Sequence, residues 1–178
     1  MRIIGKYQSL VPAIKHTCSL ISDHITSVSG DHNAVFDIDD TLIFDDQNET
    51  PNVQVKHLLQ VARAYGYKIH LITAREKNAS VMKWTRDELR RHSIQYETLA
   101  LAPKKSRVSM ADIAAWKHSE RAKHMPVLSV GDQWGDLVLL SSEDDIPKFD
   151  TKHNSIEHPW ILFCPNDGVT KYALKLMG

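Results

Sequence analysis

Val35-Phe36-Asp37-Ile38-Asp39-Asp40-Thr41-Leu42 decides how this chain is read. An apolar run, Ala34 to Ile38, has strand character and runs straight into carboxylates. Asp37 and Asp39 stand at i and i+2, straddling the end of that strand. A charged loop after an edge strand would look similar. Three acids packed beside a buried strand repel one another, however, and that cost points to a cation holding them.

Short apolar runs alternate with longer amphipathic stretches on both sides of this segment, the pattern of βα units and a parallel sheet. Upstream, residues 8–28 predict a leading helix, with Leu10, Ile14, Cys18, Ile21 and Ile25 on one face. Downstream, Leu42 to Glu49 reads as a loop or hairpin. A helix follows, with Thr50 as N-cap, Pro51 at its first position and Gly66 just past its end. Lys68 to Thr73 is a second strand, Asn78 to His92 a second helix and Tyr96 to Leu101 a third strand. Ser109 and Asp112 form a capping-box pattern opening a helix that Pro126 must end. Val127 to Val130 is a fourth strand, Trp134 to Leu140 starts another helix, and Trp160 to Cys164 is a strand before a C-terminal helix.

Asp37, Thr73 and Asp132 thus all fall at the carboxyl ends of predicted strands, the edge where open α/β sheets bind ligands. In Leu71-Ile72-Thr73-Ala74-Arg75, the threonine can hydrogen-bond a phosphoryl oxygen and the arginine can neutralise one. Val130-Gly131-Asp132-Gln133-Trp134-Gly135-Asp136 sets two acids four residues apart at a strand–helix junction.

The chain has 178 residues, 22 basic and 22 acidic, so one domain over residues 1–178 is expected, residues 1–30 being a leading helical segment. Zero net charge argues against a nucleic-acid coat protein but not against a small phosphorylated substrate. Cys18 and Cys164 lie far apart without a zinc-binding spacing, and two reduced thiols are expected. No apolar run approaches the roughly 20 residues a bilayer needs, and the N-terminus lacks a signal-peptide core, so the default compartment is cytoplasmic.

In this order and at these strand ends, the motifs resemble the haloacid dehalogenase (HAD) superfamily of phosphohydrolases. The family's DxDxT, strand-ending Thr and GDxxxD are matched by Asp37 to Thr41, Thr73 and Gly131 to Asp136. The resemblance spans about residues 34–165. Gly131 to Leu137 looks most like the acid phosphatase and vegetative storage protein branch, subclass IIIB. It implies a three-layer Rossmann-like α/β fold with a central parallel sheet. With one helix and one loop between Asp37 and Thr73, and little more after it, no substantial cap domain is expected and the site should be open.

The same resemblance implies roles. Asp37 would be the nucleophile, forming an aspartyl phosphate, and Asp39 the general acid and then base. Asp39 would also lend its main-chain carbonyl to a metal. With Asp37, Asp132 completes an oxygen-only site suited to Mg²⁺, and Asp136 would be either a direct ligand or a support behind the ligands. Thr73, Arg75 and a lysine would hold the phosphoryl group. Lys117, fifteen residues before Asp132, has a spacing similar to bacterial class B phosphatases and is the choice, with Lys105 the alternative. Asp40 fills the variable position and is read as structural. Branches that cleave carbon–halogen bonds or pump ions lack an acid at the Asp39 position, so phosphate-ester chemistry is implied. The expected substrate is a phosphorylated small molecule or a phosphate exposed on a larger one. A nucleic-acid 3′-phosphatase, using a basic patch such as Lys83, Arg86, Arg90 and Arg91, and a weakly catalytic storage or binding protein are the alternatives.

Overall fold

A computed structural model describes residues 1–45, 47–104, 109–140, 142, 145, 148–149 and 160–177. Its framework is one seven-stranded sheet, β1 (Arg2–Tyr7), β2 (Asn33–Phe36), β3 (Lys68–Glu76), β4 (Thr98–Ala102), β5 (Leu128–Gly131), β6 (Trp160–Cys164) and β7 (Tyr172–Lys175). The spatial order is β1-β6-β7-β5-β2-β3-β4. From β7 to β4 all neighbours pair in parallel. β6 runs antiparallel to both β7 and β1, so the sheet is mixed at that side.

Helices α1 (Leu10–Ser27), α2 (Val53–Ala64) and α3 (Ala79–Arg91) lie on one face and α4 (Met110–Ala122) on the other. The first three deliver Ile14, Ile21, Leu58, Leu59, Ala62 and Leu89 into a core with Phe36, Ile69 and Leu71. Ala114 of α4 packs in a second cluster with Trp134, Leu137, Ile161 and Phe163. This division follows from right-handed crossovers. The chain steps outward from β2 through β3 to β4 with helices on one side, then returns across the other face to β5. The direction of winding therefore reverses between β2 and β5. That reversal opens a crevice at their carboxyl ends, and it positions the site.

The Rossmann-like α/β class is as expected, while several elements differ. The chain starts with strand β1, which precedes the expected helix. Asn52, not Thr50, caps α2, accepting from Val55 N at 3.3 Å, and Pro51 instead bridges Ile43. The helix expected from Trp134 to Leu140 is a single 3-10 turn, Trp134–Asp136. The expected C-terminal helix contains strand β7, whose Tyr172–Lys175 gain partners on both sides. The capping box of Ser109 and Asp112 is present at α4. Among the described residues, no helix is long and apolar enough to cross a membrane, and Cys18 and Cys164 are both free.

Candidate functional site

β2 and β5 pair Phe36 with Val130, and the next step, Asp37 N–H to Val130 O at 3.0 Å, carries the pairing into the acids. Asp37 therefore emerges directly beside the Gly131-Asp132 end of β5. The backbone then turns back. The Ile38 carbonyl accepts from the amides of Thr41, Leu42 and Ile43, and Asp40 takes a left-handed conformation with φ 54°. Asp40 Oδ1 accepts from Asp45 N at 3.1 Å, which agrees with its structural reading. The turn brings Thr41, fully buried, within 3.3 Å of Asp132 Oδ1, to which it donates.

Asp37, Asp132 and Asp136 form a buried trio in which one carboxylate oxygen from each lies within 4.8 Å of the others, a group able to hold a metal ion. The 3-10 turn makes this possible. Asp136 Oδ2 accepts from Gln133 N at 2.9 Å, folding its side chain back across β5. Gly131 is required for that approach, because a Cβ there would sit 2.4 Å from Asp136 Cβ. Gln133 Nε2 steadies Asp132 by donating to Oδ2 at 2.7 Å. Arg121, buried one helical turn after Lys117, donates to the main-chain carbonyls of Gly135 and Asp136 and so clamps the turn from behind. Trp134 is buried against Phe149 and Phe163, a packing position rather than an exposed platform.

Lys117 enters the trio from α4. Its Nζ lies 2.8 Å from Asp37 Oδ1 and 2.5 Å from Asp136 Oδ1, with the side chain buried. Burial alone would lower the lysine's pKa, but Asp136 and Asp37 outweigh it and push the pKa up, so the ammonium stays charged. Burial, then the repulsion of Asp136, raises the Asp37 carboxyl well above its usual range, against the pull of Lys117. Asp132 is raised by burial and by Asp136 as well. Three carboxylates thus share one ammonium. The excess negative charge and an all-oxygen donor set fit a hard divalent cation. Lys105, the alternative lysine, lies outside the described residues.

Asp39 is not part of the trio. Its half-exposed side chain is held by the end of β3, where Thr73 Oγ1 donates to Oδ2 at 3.1 Å and Arg75 Nη2 to Oδ1 at 2.6 Å. The other side of Arg75 meets Thr85 and Glu88 of α3. Sequence reasoning therefore brought Asp37, Asp39, Thr73, Arg75, Lys117, Asp132 and Asp136 to one sheet edge, and the structure places all seven there. It missed Glu88 and Arg121. Glu88 is one acid in a highly charged helix, and nothing local distinguishes it. Arg121 could have been found, because it lies four residues after Lys117 and shares its helical face.

The fold and the site together define a Rossmann-like α/β protein with a buried acid cluster at its topological switch point. A chain of the Pnkp1/Rnl/Hen1 complex matches it with a TM-score of 0.51 at 20% identity, covering 62% of this chain and 42% of that one. A chain of the Pnkp1/Rnl/Hen1 RNA repair complex matches with 0.51 at 18% identity, covering 72% and 40%. The chain thus spans about two fifths of the length of these solved chains, and at such identities the likeness speaks for the fold. No family model and no curated protein matches the chain.

Proposed function

We propose that this protein is a magnesium-dependent phosphomonoester hydrolase of the HAD type. The observation that carries the reading is Lys117 wedged between Asp37 and Asp136, with Asp132 closing the trio and Asp39 held apart from it. In this reading Asp37 attacks phosphorus and becomes the aspartyl phosphate, while the P–O bond to the leaving group breaks. Asp39, on the more open side, gives its proton to the departing oxygen and later takes one from the attacking water. Lys117 and Thr73 receive the negative charge that develops on the phosphoryl oxygens. Held by Asp37, Asp132, Asp136 and the Asp39 carbonyl, Mg²⁺ would supply the charge that lets a phosphate dianion approach these carboxylates. The two free thiols suit a cytoplasmic setting. The sequence of the Gly131 to Leu137 loop is what supports a place in the acid phosphatase branch.

A second reading, a 3′-phosphatase acting on nucleic acid, is favoured by the likeness to chains of an RNA repair complex. About half of the charge of the patch expected to serve it is offset, since Lys83 and Arg90 share Asp87 and Arg91 pairs with Glu49. Phosphate release from p-nitrophenyl phosphate and from an oligonucleotide 3′-phosphate, each with Mg²⁺ and with chelator, tests both readings. Metal-dependent release from the small ester supports a general phosphatase. Release confined to the oligonucleotide supports the second reading, and no release from either would count against both.

A further inference from the structure

We infer that Glu88 is a positioning residue that acts through Arg75 to fix the Asp39 carboxylate at the end of β3; this rests on the phosphatase reading above. Glu88 is 1% exposed, deep in α3. A buried carboxylate is costly unless a cation receives its charge. Here Arg75 does so, Nη1 lying 2.5 Å from Glu88 Oε2. The same nitrogen donates to Thr85 Oγ1 at 3.1 Å, and the guanidinium carbon lies 4.2 Å from the centre of the Trp84 ring. One helix thus grips the guanidinium by an edge and a face.

The opposite edge of the guanidinium does the aiming. Nε and Nη2 both reach Asp39, at 3.0 and 2.6 Å from Oδ1. A guanidinium is planar, so fixing Nη1 fixes the direction of the Nε–Nη2 edge. Asp39 needs such a guide, because its side chain is 38% exposed and the next residue sits in a left-handed turn. Without Arg75, its carboxylate would keep one side-chain partner among the described residues, Thr73 Oγ1 at 3.1 Å from Oδ2, and a single such bond leaves it able to swing about that contact. Arg75, first read as a phosphate ligand, has four of its five N–H groups committed to Asp39, Thr85 and Glu88. It therefore aligns a protein acid more than it grips substrate.

Two measurements on Glu88→Ala and Glu88→Gln test this. The first follows solvent exchange of the Arg75 Nε–H by NMR. In the parent protein it should be slow. In Glu88→Ala it should be faster by about tenfold or more, as expected for a lost charge-assisted anchor. In Glu88→Gln, whose amide oxygen still accepts one bond, it should lie between. The second compares single-turnover rates on p-nitrophenyl phosphate and on an alkyl phosphate. A misplaced acid penalises the poorer leaving group, so the alkyl ester should lose roughly tenfold to a hundredfold more in Glu88→Ala, with partial rescue in Glu88→Gln. Unchanged Nε–H exchange in both variants, or equal losses on both esters, would overturn the proposal. Should Glu88→Ala not fold, Glu88→Gln carries both readouts. A parent protein without phosphatase activity would remove the phosphatase reading, while the exchange measurement would still decide whether Glu88 anchors Arg75.

Discussion

Lys117 concentrates the electrostatics of the site in one atom. Its ammonium is the cation that the described residues place between Asp37 and Asp136, and both contacts are buried. Replacing it by alanine should weaken phosphate and vanadate binding as well as turnover, by about 2–4 kcal/mol of transition-state stabilisation, the size of one lost preorganised donor. Turnover within about threefold of the parent would deny the lysine its role. Gly131 offers a steric counterpart. Gly131→Ala should displace Asp136, because the added methyl has no room, and it should lower thermal stability and turnover together. A variant that keeps both would mean that the Asp136 side chain does not need its folded-back position. The acids were legible in the sequence because motif chemistry and strand ends coincide there, and Lys117 through its spacing to Asp132. The Glu88–Arg75 contact was not, since it joins residues thirteen apart in sequence through the packing of a helix on a strand end.

His70 shows what one strand residue does for the sheet. Its ring spans three strands, with Nε2 at 2.9 Å from Asn33 Oδ1 of β2 and Nδ1 at 2.8 Å from Thr98 Oγ1 of β4. Burial, helped by neighbouring His124, pushes its pKa down to about 4 from the ordinary 6.5. Between those values the unfolded chain binds the extra proton, so stability falls as pH drops from 6.5 towards 4 and levels off below it. The loss should reach about 3 kcal/mol from this group. Urea unfolding of the parent and of His70→Gln across that window checks it, and equal pH slopes in the two would exclude His70 as the cause. β2, β3, β4 and β5 were legible as apolar runs, β2 and β5 ending in acids. β1 and β7 were not. Residues 172–175, Tyr-Ala-Leu-Lys, carry helix-forming types, and their strand state comes from pairing with β5 and β6, a tertiary context that overrides local propensity. β1 is an edge strand whose partner, β6, lies more than 150 residues away. The Trp134 helix is cut to one turn because Asp136 is drawn back to Gln133 N.

The site joins the two sides of the sheet: α4 supplies Lys117, β2 and β5 supply the acids, and β3 with α3 supplies the Asp39 clamp. A cation bound to the trio should therefore stabilise the entire fold. At a Mg²⁺ concentration one hundred times its dissociation constant, linkage gives about 2.7 kcal/mol, or roughly 5–10 °C in Tm for a domain of this size. Differential scanning calorimetry with Mg²⁺ and with chelator should show that rise, and Asp132→Asn should remove most of it. A parent Tm indifferent to Mg²⁺ would argue against a metal at the trio.

Asp37 is where the whole account meets a single bond. Hydrolysis of p-nitrophenyl phosphate at saturating Mg²⁺, compared between the parent and Asp37→Asn, tests it most directly. An amide cannot serve as the nucleophilic carboxylate, so turnover should fall by at least about a thousandfold. Turnover within about tenfold of an active parent would contradict the assignment of Asp37 as the residue that takes the phosphoryl group.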